Sequence, residues 1–231
     1  MRDVWRRRAQ LKCSVLGLLA LGLLPVEAGA TGEVRDQQLL ERVEKEYGRR
    51  ARHRVETWQQ LMEDVGARVE LAELEKVRSA NNFFNRLSWV SDEEHWGQED
   101  YWATPVEMLA TNGGDCEDFS IGKYFTLSDE GLMLDKLRIT YVKALEYDQA
   151  HMVLAYYPSP DAEPWILDNI NKTLLPASQR PDLLPVYSFN GLGLWLARDR
   201  HRQISSDAGQ SLPQWGDLNR RLGEELGAGQ P

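Results

Sequence analysis

Cysteine is scarce in this sequence: 231 residues contain two, Cys13 and Cys116. Cys13 lies in an N-terminal apolar run. A chain that loses that run keeps one thiol and has no intramolecular partner to form a disulfide with it. Long apolar runs are lacking too. The uncharged stretch from Cys13 to Val26 has 14 residues, against the roughly 20 that a membrane-spanning helix needs. No later segment is apolar enough to cross a bilayer. Positive charge is in deficit, with 27 Lys and Arg against 36 Asp and Glu. A formal charge of −9 excludes a general electrostatic attraction to nucleic acid or anionic lipid. Internal repeats and low-complexity tracts are absent.

What is present begins at the N-terminus. Arg2, Arg6, Arg7, Arg8 and Lys12 precede the apolar run, with Asp3 as the one acid among them, and Ala28-Gly29-Ala30 follows it. A basic region, a short leucine-rich run and a small-residue site make a secretory signal peptide over residues 1–30; the alternative is an uncleaved anchor. Cleavage after Ala30 leaves 231 − 30 = 201 residues, with 27 − 5 = 22 basic and 36 − 2 = 34 acidic side chains, a formal charge of −12. That length suits one domain, expected over 31–200, with a polar C-terminal tail over 201–231.

The pattern is helical from Val34 to Asn85. Leu39, Leu40, Val43 and Tyr47 recur at helical spacing, as do Val55, Trp58, Leu61, Met62 and Val65. Gly48 and Gly66 punctuate this stretch. Residues 86–103 are aromatic and acidic, an ordered loop packed on the core. Thr104-Pro105-Val106-Glu107 is a helix start with a capping box and proline at the first position. That helix ends by Asn112-Gly113-Gly114, and another begins near Asp115 and runs to about Leu127. The period then changes. Residues 136–145, 151–157 and 165–170 are short and β-branched or aromatic, and read as strands. Loops follow Pro176, then an apolar stretch from Leu192 to Ala197. The tail carries at most a short helix around Trp215. Helices first and a small antiparallel sheet after make an α+β domain.

Cys116 stands where the second of those helices begins. A lone cysteine is either a small buried core residue or a reactive thiol. A glycine turn before it and a helix N-terminus under it favour the thiolate, and free N–H groups there suit an oxyanion. His151 opens one expected strand and Asp168 lies near the end of the next. If they pair directly opposite, their numbers sum to 319. The hairpin midpoint then falls between Ser159 and Pro160, inside the turn-rich 157–164 (YPSPDAEP). Opposed residues share a sheet face, so Asp168 can orient His151 while His151 takes the proton from Cys116. His53, His95 and His201 have no comparable partner.

Five motifs together resemble the bacterial transglutaminase-like cysteine proteinases: Asn81-Asn82-Phe83-Phe84-Asn85, Asp100-Tyr101-Trp102-Ala103-Thr104-Pro105, Gly114-Asp115-Cys116-Glu117-Asp118-Phe119, His151-Met152-Val153-Leu154 and Leu167-Asp168-Asn169. The resemblance covers roughly residues 36–200. It implies a papain-like, transglutaminase-like core with a Cys116-His151-Asp168 triad, located in the periplasm. It also implies an enzyme that clips a large cell-surface adhesin near its N-terminal retention module, between two alanines, and so promotes biofilm dispersal. Dependence on calcium is implied, and so is inhibition by an inner-membrane receptor that senses cyclic-di-GMP.

Calcium also has an argument in the residues. Asp115, Glu117 and Asp118 surround the thiol. Acids favour any helix N-terminus, but each carboxylate about 6 Å from the sulfur opposes the thiolate by roughly 3 kcal/mol at an effective dielectric of ~20, about two pKa units. A hard cation on oxygen ligands offsets that charge, with Asp115 and Glu117 the leading ligands and Asp118 beside them. Two other readings stay open: a transglutaminase or amidase acting on cell-wall peptides, and a non-catalytic binding module of the same fold.

Overall fold

The computed structural model describes residues 28–66, 72–196 and 202–227. The expected signal peptide lies outside the described residues as far as residue 27. Among the described residues three helices come first: α1 (Ala28–Tyr47), α2 (Arg49–Gly66) and α3 (Glu73–Phe84). Gly48, at a φ of +87°, turns the chain from α1 into α2 in a conformation that suits glycine. Leu39, Leu40, Val43, Val55, Trp58 and Met62 bury the facing stripes of α1 and α2 in one cluster. No helix of the described residues is long and apolar enough to cross a membrane.

The aromatic and acidic segment contains a two-residue strand β1 (Ser88–Trp89) and a turn of helix α4 (Asp92–His95). Helix α5 (Pro105–Thr111) begins as its sequence dictates. Thr104 Oγ accepts from the Glu107 N–H at 3.1 Å, and Glu107 Oε2 accepts from the Thr104 N–H at 2.7 Å. Asn112 ends the helix in the left-handed region at a φ of 66°. Strand β2 (Gly113–Gly114) then runs parallel to β1 and leads into α6 (Cys116–Asp129).

Helix α6 is the centre of the molecule. A side chain at Gly122 would lie 2.3 Å from the Phe84 ring, so glycine lets α3 and α6 touch. The other side of α6 meets a seven-stranded antiparallel sheet: β3 (Leu137–Ala144), β4 (Gln149–Tyr156), β5 (Trp165–Leu167), β6 (Leu175–Pro176), β7 (Leu183–Asn190), β8 (Gly193–Leu196) and β9 (Gln203–Ser205). The strand order is β6-β5-β4-β3-β7-β8-β9. Leu137, Ile139, Met152, Leu154, Leu167 and Phe189 from the sheet join Ile121, Tyr124, Phe125 and Leu127 from α6 in the main core. The architecture is the expected α+β, but the sheet is larger than the expected small one. The segment after Pro176 is not all loop, because β7 runs through it with Pro185 at a β-bulge, where the register against β3 skips Val186. Proline is tolerated at such a break in the ladder.

The C-terminal segment also departs from expectation. The short helices α7 (Ala208–Ser211) and α8 (Pro213–Glu225) occupy the stretch read as a polar tail. Trp215, Leu218 and Leu222 are buried in the main core, and the Trp215 ring stacks on Phe125 at 5.6 Å. Three apolar residues at spacings of three and four suffice to dock one helix face, although the segment is polar on average.

Candidate active site and acid cluster

Cys116 is the first residue of α6. The route to it is tight. A side chain at Gly114 would lie 2.3 Å from Asp118 Oδ2, so glycine is required for the Asp118 carboxylate to reach back to the Asp115 N–H at 3.2 Å. The half-buried thiol donates to Glu117 Oε2 at 3.0 Å. Burial pushes the thiol well above its usual range, and the Glu117 and Asp115 charges push it further, against the Met152 N–H. Met152 follows His151 on β4, which packs along α6. The helix start thus lies beside the strand that carries the histidine.

His151 and Asp168 are in contact. His151 Nε2 lies 2.8 Å from Asp168 Oδ1, with both side chains buried. The register that brings them together differs from the expected one. Leu154 pairs with Leu167 and Ala155 with Ile166, a sum of 321 rather than 319. Asp168 lies one residue past the end of β5 rather than directly opposite His151. A slip of two keeps both residues on one face, because side chains alternate with a period of two, so the pair meets diagonally.

Asp168 is held through both carboxylate oxygens and its carbonyl. Oδ1 also accepts the Ile170 N–H at 2.9 Å, and Oδ2 accepts Arg180 Nη2 at 2.7 Å. Its carbonyl accepts Asn85 Nδ2 at 2.9 Å and Lys123 Nζ at 3.2 Å. Burial alone would raise this carboxyl, but the His151 hydrogen bond and charge, the Ile170 N–H and Arg180 hold it far below the usual carboxylate range. Arg180, Lys123 and the role of Asn85 were missed in the sequence. Asn85 closes one of the recognised motifs, but Arg180 lies in a loop with no local pattern.

The three acids expected around the thiol have two further neighbours, Asp92 and Asp100, from the segment between β1 and α5. Carboxylate oxygens of Asp92, Asp100 and Glu117 lie within 4.8 Å of one another, as do those of Asp92, Asp115 and Asp118, while Asp115 and Glu117 group with the Cys116 sulfur. Among the described residues, Asp92 Oδ1 and Asp115 Oδ1 are buried without a hydrogen-bond partner. Burial and mutual repulsion push Asp92 up to about 6 and Asp115 up to about 8, and raise Glu117 and Asp118. Crowded, buried, partnerless carboxylate oxygens suit a hard cation of calcium type. Asp118 has a second duty. Its Oδ1 accepts the Ala103 N–H at 2.7 Å, so it also ties the 100–103 segment to α6. Helix α8 supports the cluster from outside. Gln214 Nε2 donates to Asp100 Oδ2 at 2.7 Å, and Arg221 Nη2 donates to the Trp102 carbonyl at 2.6 Å.

Residues 45–183 match the family described as bacterial transglutaminase-like cysteine proteinase. Among solved structures, EGTA-treated LapG of Legionella pneumophila is 40% identical, with a TM-score of 0.71, over 81% of this chain and 97% of that one. Calcium-bound LapG of the same organism is 41% identical, with a TM-score of 0.68, over 79% and 98%. No curated protein matches the chain. The family match and the 40% identity agree: the chain belongs to the bacterial transglutaminase-like cysteine proteinases.

Proposed function

We propose that this protein is a calcium-dependent periplasmic cysteine endopeptidase that cleaves the N-terminal region of a large cell-surface adhesin. Its nucleophile is Cys116, its base His151 and its orienter Asp168. The observation that carries the reading is the buried 2.8 Å His151–Asp168 contact beside the helix that presents Cys116.

Each step follows from these groups. Cys116 gives its proton to the His151 imidazole, which Asp168 holds through Nε2. The sulfur adds to the peptide carbonyl carbon, forming a C–S bond as the carbonyl π pair moves to oxygen. Backbone N–H groups at the start of α6 favour that oxyanion. The imidazolium returns the proton to the nitrogen as the C–N bond breaks and the amine leaves. Water, deprotonated by His151, then adds to the thioester and expels the thiolate. Calcium, when bound at the Asp92, Asp100, Asp115 and Glu117 oxygens with Asp118 adjacent, supplies positive charge that offsets the acids around the thiol. The calcium-bound and EGTA-treated structures of a relative support this reading.

The adhesin substrate, the part in biofilm dispersal, the inner-membrane cyclic-di-GMP receptor of LapD type as inhibitor, and export through a signal peptide ending at Ala30 are proposed on the motif resemblance and the N-terminal composition. The test is direct. The protein is incubated with the N-terminal region of a large adhesin from the same genome, and the products are mapped by mass spectrometry. One discrete cut is expected, abolished by EGTA, restored by calcium, and absent with Cys116→Ala. Full cleavage by Cys116→Ala, or no cut in the presence of calcium, would overturn the reading.

A further inference from the structure

We infer that Arg180 is a positioning residue of the active site: its guanidinium fixes the Asp168 carboxylate in the orientation that holds the His151 ring. The inference rests on the triad proposed above. Asp168 Oδ1 is shared by His151 Nε2 and the Ile170 N–H. Alone, that arrangement lets the carboxylate swing about its Cβ–Cγ bond. Arg180 takes the second oxygen, Oδ2, at 2.7 Å, so the carboxylate is gripped at both ends. The guanidinium is itself aimed. Its Nε donates to Asp182 Oδ1 at 3.0 Å and its Nη2 to Asp182 Oδ2 at 2.7 Å.

The environment makes the grip electrostatic as well as steric. Arg180 is 4% exposed and Asp168 1%, so their attraction is little screened by solvent. The charged and titratable groups facing Asp168 are His151 from β4, Lys123 from α6, and Arg180 and Asp182 from the segment entering β7. Lys123 reaches the Asp168 carbonyl rather than its carboxylate, and Asp182 is repulsive. Arg180 is the cation on the carboxylate itself. A guanidinium suits the task because its planar fork serves two acids at once, which a lysine cannot reproduce.

The experiment measures kcat and KM for the adhesin fragment with Arg180→Met, Arg180→Lys and Asp168→Asn, and with Arg180→Met in the Asp168→Asn background. The Asp168 carboxylate is titrated by ¹³C NMR in the intact protein and in both Arg180 variants. Arg180→Met is expected to lower kcat by roughly 10–100-fold, by analogy with the outer partners that orient metal-bound histidines, with KM unchanged, and to move the Asp168 titration to higher pH. Arg180→Lys should recover part of both. In the Asp168→Asn background, Arg180→Met should cost nothing further, because its route through Asp168 is gone. An unmoved Asp168 titration, a loss confined to KM, or additive losses in the double variant would each overturn the inference. If Arg180→Met does not fold, Arg180→Lys carries the test, and an unchanged kcat there overturns it. Full activity of Asp168→Asn alone would refute the triad instead, without reference to Arg180.

Discussion

Lys123 shows how strongly burial acts on a single side chain. It is fully buried, with its Nζ 3.2 Å from the Asp168 carbonyl and 5.7 Å from the centre of the Phe119 ring. Burial brings its pKa down to about 7, against a smaller upward pull from Asp168. The unfolded chain keeps the lysine protonated to about pH 10.4. Between about pH 7 and 10 the unfolded state therefore binds more protons, and stability rises with pH through that window. Asp92 at about 6 and Asp115 at about 8 act in the opposite direction, so urea unfolding at pH 6, 7, 8 and 9 should show the lysine as a difference, the slope with pH being less positive in Lys123→Met than in the intact protein. A variant with the same slope would show that the lysine is not the source. At this scale the sequence was legible where a residue had a rare type or a local motif, as with Cys116, His151 and Asp168. It was not legible for Asp92, Asp100 and Arg180. Their partners lie at residues 117, 115 and 168, and no local spacing encodes such contacts.

Elements were legible when their signals were local. The capping box at Thr104 and Glu107 and the left-handed turn at Asn112 bound α5 with no help from the rest of the chain. Strand β7 was hidden because Pro185 interrupts the pattern that marks a strand, and the bulge that tolerates it arises only against β3. Helix α8 was foreseen only as a short helix around Trp215, because its one buried stripe is diluted by polar residues over each turn. The contact between α3 and α6 offers a test of element packing. Gly122→Ala would put a methyl group 2.3 Å from the Phe84 ring, and Phe84 is fully buried. The helices must then separate, at about 1–3 kcal/mol, the usual loss on overpacking a core. Thermal or urea unfolding checks this. A loss below about 0.5 kcal/mol, as at ordinary surface sites, would mean that the two helices are less closely seated than described.

For the whole molecule, the acid cluster is the weak point. Five carboxylates from the 92–100 segment and the start of α6 are drawn together, and buried oxygens on Asp92 and Asp115 find no partner among the described residues. A cation bound only by the folded state stabilises it by about 2.7 kcal/mol at 100 times its dissociation constant, which for a chain of this size is a melting shift of roughly 5–10 °C. Calcium added to chelator-treated protein should raise the melting temperature by that order. Magnesium should do so less, because it holds its water and demands a tight octahedron. Asp115→Asn should shrink the calcium shift while raising the melting temperature without calcium, since it removes a carboxyl whose burial among other acids is costly, as its pKa of about 8 reflects. Equal melting curves with and without calcium would remove the cluster from consideration as a cation site.

Helix α8 has one more consequence, which concerns time rather than energy. It is the last of the described helices in chain order. A nascent chain that has reached residue 212 already holds Cys116, His151, Asp168 and all five acids. It still lacks the Gln214 contact to Asp100 and the Arg221 contact to the Trp102 carbonyl. It also lacks Trp215, which covers Phe125 and meets Phe189 edge-on at 5.3 Å. The proposed site is therefore braced only once residues 213–225 are in place, and a chain that stops short of them is a poor protease. A protein ending at Leu212 should be expressed with every residue of the proposed triad and still fail to cut the adhesin fragment. Adding residues 213–231 as a separate peptide should restore part of the cutting, if docking of the helix is what completes the site.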